Sequence, residues 1–425
     1  MYNALVMDLL ALAVPLFLLA FLIELIVDRV RGTGYIRAND AINSMSTGSL
    51  MTTLGYFTGL IPAAILAYVL RDVSVFQFDA AAFDLSPSGL LHWAVALIAF
   101  DFCYYWAHRS GHVISILWAA HAVHHQSEDY NLSTALRQTG SGDFLSWIFY
   151  VPLFVLGMPF EVFAIVNALD LIYQFWVHTQ HVRRLGWMEK IFVTPSNHRV
   201  HHAQNAVYID KNYGGIFILW DRWFGTFQDE LDDDPVVFGV RKPLHSWNPF
   251  WANLQVYDYL LFDAVRTKRW RDKLGIWFRR TGWRPADMVE KYPKRSSDLA
   301  AFHKYNPTVA PGVQRYTIFQ FIFAILMIIW IGLVYATEGL QGVVVPCVMF
   351  WALLFSIGML NDGKRSAAGF ETFRLFVIMP AGLYGLLQGV GSDWPQTSAW
   401  IALGLYLALS AVLLRPAWKR AEVTV

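Results

Sequence analysis

The sequence predicts an all-α, polytopic integral membrane protein with a cytoplasmic helical cap that bears a histidine-rich di-metal site. Three observations carry that expectation. The 425 residues are 56% apolar and only 15% charged, too hydrophobic for an ordinary soluble protein. Apolar stretches of span length, with few or no charges, recur along the chain. Most of its 13 histidines gather at helical spacing where one of those stretches ends. The net charge of +1, with no basic tail and no Gly-rich phosphate loop, gives no reason to expect a nucleic-acid partner.

Leu5 to Val27 is long enough to span and ends at Glu24, Arg29 and Arg31. Its long apolar run has no basic segment before it and no small-residue cleavage site after it, so it reads as a retained helix. Residues 32–47 are polar and are expected at the surface. Leu50 to Leu70 contains Gly55, Gly59 and Pro62 and is expected to bend. Leu90 to Trp106 forms the next span. Phe144 to Leu156 and Phe160 to Val177, separated by Gly157-Met158-Pro159, read as a hairpin that dips into the membrane and returns. Residues 182–315 are polar and basic. Within them, Trp251 to Arg280 alternates aromatic and aliphatic residues with basic clusters, which suits either a helix lying on anionic lipid or a solvated cover over the site. Tyr316–Ala336, Val343–Leu360, Phe370–Leu387 and Ala399–Leu414 follow, bringing the total to about nine apolar stretches. They contain no histidine, so a structural role is expected. With the N-terminus outside, the arginines after the first span, the basic domain, Lys364, Arg365, and Arg415, Lys419 and Arg420 all fall on the cytoplasmic side, as do the histidines. Glu338 and Trp394 fall on the other. The expected location is a bacterial inner membrane or an ER-type membrane. The expected division is a catalytic region over 1–315, with its metal core at about 95–230, and a membrane region over 316–425.

The histidines carry the chemistry. His108 and His112, then His121, His124 and His125, then His198, His201 and His202 form three tight groups, with His178 and His181 between the last two. Residues three or four apart share a helix face, so His108 projects with His112, His121 with His124 or His125, and His198 with His201 or His202. A single zinc takes three or four protein ligands, and so many imidazoles exceed one ion's needs. HExxH is absent, and Cys103 and Cys347 lie in separate apolar segments, so neither a zinc protease nor a thiolate site is indicated. Imidazole suits iron, zinc, copper and nickel alike. Asp101, about two turns before His108, and Asp170, two turns before His178, are intramembrane carboxylates placed to hydrogen-bond ligand imidazoles.

HRSGH, HAVHH and HRVHH resemble the three histidine boxes of the fatty acid hydroxylase/sterol desaturase superfamily of membrane di-iron oxygenases. Within it, WAAHAVHHQSEDYNLSTALRQ and VHTQH…TPSNHRVHHAQNAVYIDKNYGGIFILWDRWFGTF are similar to the alkylglycerol monooxygenases. The resemblance implies two iron ions and O2 as co-substrate. It also implies a membrane lipid as substrate, hydroxylated next to an ether oxygen. The implied ligands are His108, His112, His121, His124, His125, His178, His198, His201 and His202; the alkylglycerol monooxygenases have no histidine in the place of His181. They carry a glutamate after the second histidine of the first box, where this chain has Val113. Valine offers no acceptor to the amino-pyrimidine edge of a tetrahydropterin. The expectation is therefore a redox partner protein as external electron donor rather than tetrahydropterin, with Glu128 or Asp129 as the carboxylates placed to replace the missing one. A sterol or fatty-acid hydroxylase or desaturase of another subfamily keeps the same iron chemistry on another substrate. A metal transporter would place histidines near the bilayer midplane on interrupted helices, and a membrane zinc hydrolase would need fewer ligands and a general base.

Overall fold

The computed structural model describes residues 2–293, 298–389 and 395–421, with side chains over 15–293, 298–389 and 395–415; Trp394, Lys419 and Arg420 fall outside the described side chains. The main helices are α1 (Tyr2–Arg31), α2 (Ala38–Thr58), α3 (Leu60–Tyr68), α4 (Pro87–Val113), α5 (Ser115–His125), α6 (Phe160–Val177), α7 (Pro195–His201), α8 (Pro249–Arg266), α9 (Trp270–Gly275), α10 (Pro311–Asn361), α11 (Ala367–Gln388) and α12 (Gln396–Ala421). Among the described residues the only extended pairings are isolated bridges, so the chain is all-helical as expected. By length and composition α4, α6, α10, α11 and the Gln396–Arg415 part of α12 can each cross a membrane, and α2 with Leu60–Val73 makes a sixth if counted as one broken span.

This count takes α10 once, where the sequence has two stretches, and it leaves out Leu5–Val27, whose first part lies outside the described side chains. Gly142–Val155 is apolar but too short, because at about 1.5 Å per residue it falls well under the ~30 Å of hydrocarbon. α10 runs for 51 residues, yet Gly339 inside it has φ 65° and ψ −155°, outside helical space. A straight helix of that length would reach about 77 Å, more than twice the bilayer core. Residues before the break (Phe321, Met327, Ile331) and after it (Cys347, Phe350, Leu354) share one buried cluster, so α10 folds back on itself at Gly339.

The chain forms two compact units. The first comprises Met1–Arg37, Thr58–Leu244 and Asn253–His303. It packs α4 against α6 and α5, with Phe100, Cys103, Leu153, Phe154, Val162 and Val166 in its core. Ser86 caps α4, accepting from Gly89 N, with Pro87 at the first helical position. Glu24, which reads in the sequence as the end of a span, is buried and accepts from Leu132 N at 2.7 Å and Thr179 Oγ1 at 2.5 Å. It thereby ties α1 to the segments that follow the second histidine group and His178.

The second unit comprises Ala38–Phe57, His245–Ala252 and Lys304–Val425. Here the surface expectation for residues 32–47 fails over its helical part. Asn39, Asp40, Asn43, Ser44, Ser46 and Thr47 are all buried, and most of their polar groups bond inside the unit: Asn43 Nδ2 donates to Trp247 O, Ser44 to Asp40 and Thr47 to Ser44 O. α11 hides an ion pair that an apolar stretch does not advertise. Glu371 and Arg374 are fully buried; Ser356 donates to Glu371, and Arg374 donates to Gln320 and Tyr406. A charge that far from water survives only with its partners in place.

Candidate metal centre

Nine of the predicted histidines converge in the first unit as two groups. His108, His112, His121, His125 and His201 form one; His124, His178, His198 and His202 form the other. Within each group, one ring nitrogen from every residue lies within 4.8 Å of all the others. The division follows helix geometry. His108 with His112, His121 with His125 and His198 with His202 are four apart, some 40° around the axis, and each such pair shares a group. His124 and His201 stand three from a neighbour, about 60° the other way, and cross to the opposite group.

The nitrogens are spaced as ligands. Nε2 of His121 lies 3.1 Å from that of His108 and 3.0 Å from that of His125; Nε2 of His178 lies 3.3 Å from that of His124 and 3.1 Å from that of His198. Nitrogens about 2.0–2.1 Å from one ion sit roughly 3.0–3.4 Å apart. The tautomers require a cation. His124 Nδ1 faces Arg137 O at 2.9 Å and His178 Nδ1 faces Gln174 O at 2.7 Å. A carbonyl can only accept, so both Nδ1 atoms carry the proton and both Nε2 atoms are bare lone pairs aimed at each other. Such a contact is repulsive unless a positive ion lies between them. In the same way His108 Nδ1 faces Tyr213 O at 2.8 Å and His201 Nδ1 faces Lys211 O at 3.0 Å, while the buried Nε2 atoms of His112 and His201 have no protein partner. Burial, with the neighbouring imidazoles secondary for most, keeps the rings neutral: His124 is pushed down to about 4, His201 to about 3, and His121, His125, His178, His198 and His202 well below the usual range. A neutral imidazole is the ligand form, so the site is ready for metal at neutral pH.

Most of the surrounding polar structure serves those carbonyls. Arg137, buried, donates to Val123 O at 2.7 Å and so fixes the loop whose own carbonyl holds His124. A capping box of Thr194 and Asn197 starts α7, and Arg199 pairs with Glu230 at 2.7 Å beside it. Asn212, at φ 56°, bonds Asn197 O and Gln228 O and so positions Lys211 and Tyr213. Asp221 accepts from Tyr213 N and Gly214 N, both at 2.8 Å. The string KNYGGIFILWD within the sequence quoted above is therefore the strap that presents carbonyls to His108 and His201.

Asp101 and Asp170 work one step further out than expected. Asp101 touches no imidazole; it accepts from Ile216 N, Phe217 N and Trp220 Nε1, holding the same strap. Asp170 accepts from Gln174 Nε2, and the carbonyl of Gln174 takes His178 Nδ1. His181 joins neither group: its ring lies 5.2 Å from that of Tyr35 and its backbone N–H donates to Thr179 Oγ1. Sequence spacing missed Arg137, Asn212 and Asp221, because carbonyl-directed supports have no fixed spacing from the ligands; the acid Asp221 inside an aromatic string was the available signal.

A cavity of about 300 Å³ opens beside the five-histidine group, reaching His112, His125 and His201 and no member of the other group. Trp118, Ala122, Ile209, Val256, Leu260 and Trp283 give it apolar walls. Its acids are engaged, Asp263 with Arg284 at 2.5 Å and Asp210 with Arg280 at 2.9 Å.

Nine imidazoles gathered in two ion-sized groups, in a chain with several helices long and apolar enough to cross a membrane, define a membrane protein with a histidine-box metal centre. The Fatty acid hydroxylase family matches residues 93–226. Alkylglycerol monooxygenase of Danio rerio is 35% identical over 416 residues, covering 95% of this chain and 89% of its own; that of Homo sapiens is 34% identical over 388 residues, covering 88% and 83%. Ornithine lipid hydroxylase OlsE of Rhizobium tropici is 31% identical over 151 residues, covering 34% and 44%. No solved structure matches. The chain belongs to the alkylglycerol monooxygenase family, and it is an oxidoreductase.

Proposed function

We propose that the chain is a membrane di-iron monooxygenase that inserts one oxygen atom of O2 into a lipid chain and cleaves ether lipids. The observation that carries this reading is the pair of imidazole groups whose facing lone pairs require cations, beside an apolar cavity. His108, His112, His121, His125 and His201 would hold one ion and His124, His178, His198 and His202 the other. Iron there supplies the activation of O2, which no side chain performs. The protein's own task is placement. Trp118, Ala122, Val256 and Leu260 would lay the lipid's hydrocarbon against the five-histidine side and exclude water. When the carbon next to an ether oxygen is hydroxylated, the other oxygen atom of O2 leaves as water, with an electron pair and two protons from an external donor. The hemiacetal then collapses to an aldehyde and a free alcohol. Feeding a purified preparation an alkyl ether lipid under labelled O2 tests this: label in the aldehyde supports it, and intact ether lipid beside iron-loaded protein sinks it.

The donor follows from Val113. Its side chain is aliphatic, and its carbonyl is occupied by Thr281 N at 2.8 Å. Asp129 is engaged by Arg37, which donates from N at 2.9 Å and from Nε at 3.0 Å, and Glu128 lies 3.9 Å from the same guanidinium. The acids nearest the second histidine group are thus committed to Arg37 and are poor substitutes for a glutamate at 113. A protein electron donor is the consistent choice. Losing a charge-assisted contact costs about 1.5–3 kcal/mol, so tetrahydropterin should support turnover at least roughly tenfold less well than a ferredoxin-type donor. Pterin-driven turnover equal to that with the protein donor would refute the assignment, and pterin dependence gained with Val113→Glu would support it.

We place the metal centre on the cytoplasmic side, with residues 1–315 as the catalytic region and 316–425 as a histidine-free membrane region. The basic residues beside the spans support that orientation. A cysteine at Lys364 should react with a membrane-impermeant thiol reagent only from the cytoplasmic side, as should one at Arg184. A cysteine at Glu338, next to the Gly339 turn, should react only from outside. Reaction at 364 and 338 from the same side would overturn the orientation.

A further inference from the structure

The segment from α8 through residue 279 exposes more apolar surface than the metal centre needs. Trp270, Leu274 and Phe278 recur every four residues and are 76%, 68% and 75% exposed. On α8, Leu254, Leu261 and Val265 are also exposed. Soluble surfaces scatter such residues singly; a row of them marks a surface with a partner. The charges around the row are predominantly basic. Arg266, Lys268, Arg269, Arg271 and Arg279 are exposed, and between residues 266 and 280 the only acid is Asp272.

The depth of this row is fixed by backbone hydrogen bonds. Thr281 N donates to Val113 O at 2.8 Å, Ser115 N to Arg279 O at 3.0 Å and Ile116 N to Trp277 O at 2.8 Å. Residues 277–281 are thereby pinned to the end of α4, a span. Counting from Leu90, about 20 residues at 1.5 Å each fill the ~30 Å hydrocarbon core. The span therefore leaves hydrocarbon near Arg109, and Val113 lies roughly 6 Å beyond it, in the headgroup layer.

We propose that this segment is an apron docked on an anionic lipid leaflet. Trp270, Leu274 and Phe278 enter the boundary between headgroups and acyl chains, and the flanking Arg and Lys side chains reach lipid phosphates. Charge decides the occupant, since a second copy of the chain would bring the same positive row against it. The apron runs directly into the cavity wall, because Thr281, Gly282, Trp283 and Arg284 line the cavity beside His112. A lipid leaving the leaflet at the apron would meet the cavity next. The inference rests on α4 crossing the bilayer and not on turnover.

The test uses full-length protein in vesicles of phosphatidylcholine alone or with one-third phosphatidylglycerol. Nitroxide labels go on Leu274→Cys and Phe278→Cys, with Asp232→Cys as a solvent control, since that side chain is 92% exposed. In the anionic vesicles both apron labels should collide with oxygen several-fold more than with an aqueous nickel chelate, and the control should do the reverse. Changing Arg266, Lys268, Arg269 and Arg271 together to Gln should remove the difference between the two vesicle types while iron content stays unchanged. Apron labels as open to the nickel chelate as the control would overturn the proposal. So would dipolar broadening between Phe278→Cys labels of different copies, which assigns the row to a second chain. Because the readout needs no catalysis, failure of ether cleavage leaves it standing, and its own failure leaves the proposed reaction untouched.

Discussion

His121→Ala is expected to reduce bound iron from about two ions per chain toward about one and to lower turnover by more than about a hundredfold, the upper end of what losing even an outer partner of a ligand costs. Its ring is the hub of the five-histidine group, 3.1 Å from His108 and 3.0 Å from His125 through Nε2. Deleting it leaves those lone pairs without their common ion. His198→Ala should strike the other group in the same way, since its Nε2 lies 3.1 Å from that of His178 and 3.2 Å from that of His202. His181→Ala is the contrast: its ring packs against Tyr35, outside both groups, so iron and turnover should stay near wild type. Iron analysis and single-turnover assays on the three variants decide the matter. Full iron and full activity in His121→Ala would remove that residue from the centre, and iron loss in His181→Ala would return it to the ligand set.

How much of this was legible beforehand depended on whether the signal was local. Imidazoles at helical spacing announced a site for two ions, because three- and four-residue steps share a helix face whatever the fold. Which of His124 or His125 joins His121 was not legible, since steps of three and four deviate from one face by similar angles in opposite senses. The choice rests on which neighbour each ring meets across the bundle. Span count was legible in part: hydropathy left the 337–342 gap where the chain turns at Gly339, but apolar length alone did not decide whether a stretch as short as Gly142–Val155 crosses. Polar residues deceived in the opposite direction: Asp40, Asn43, Ser44 and Thr47 read as surface, yet they are buried because partners distant in sequence or one helical turn away bond them. Asp101 and Asp170 were legible as important and not as to means. A carboxylate two turns from a ligand can bond the ring or bond what holds the ring, and sequence separation is the same in both cases.

That indirect means makes Gly215 a sensitive position outside the ligands. The strap that carries the Lys211 and Tyr213 carbonyls passes between the two intramembrane carboxylates. A β-carbon on Gly215 would lie 2.6 Å from Asp170 Oδ1, 2.8 Å from Asp101 Oδ1 and 2.9 Å from Tyr104 Cδ1. None of these can retreat cheaply. Asp101 is held by the donors of Ile216, Phe217 and Trp220; Asp170 is held by Gln174, whose amide oxygen also takes the Tyr104 hydroxyl at 2.7 Å and whose carbonyl takes His178. Relief therefore has to come from the strap, and His108 loses its carbonyl at Tyr213 as the strap lifts. Overpacking alone costs about 1–3 kcal/mol, and an unsupported ligand a further factor of roughly 10–100 in metal affinity. Gly215→Ala should thus lower both the melting temperature and the retained iron, with the five-histidine group affected first. Gly369→Ala is the matched control, because a β-carbon there meets nothing within 4 Å and helix propensity favours it by somewhat under about 1 kcal/mol. Wild-type iron retention in Gly215→Ala through dialysis against a chelator would show that the strap does not hold His108, and the roles assigned to Asp101 and Asp170 would fall with it.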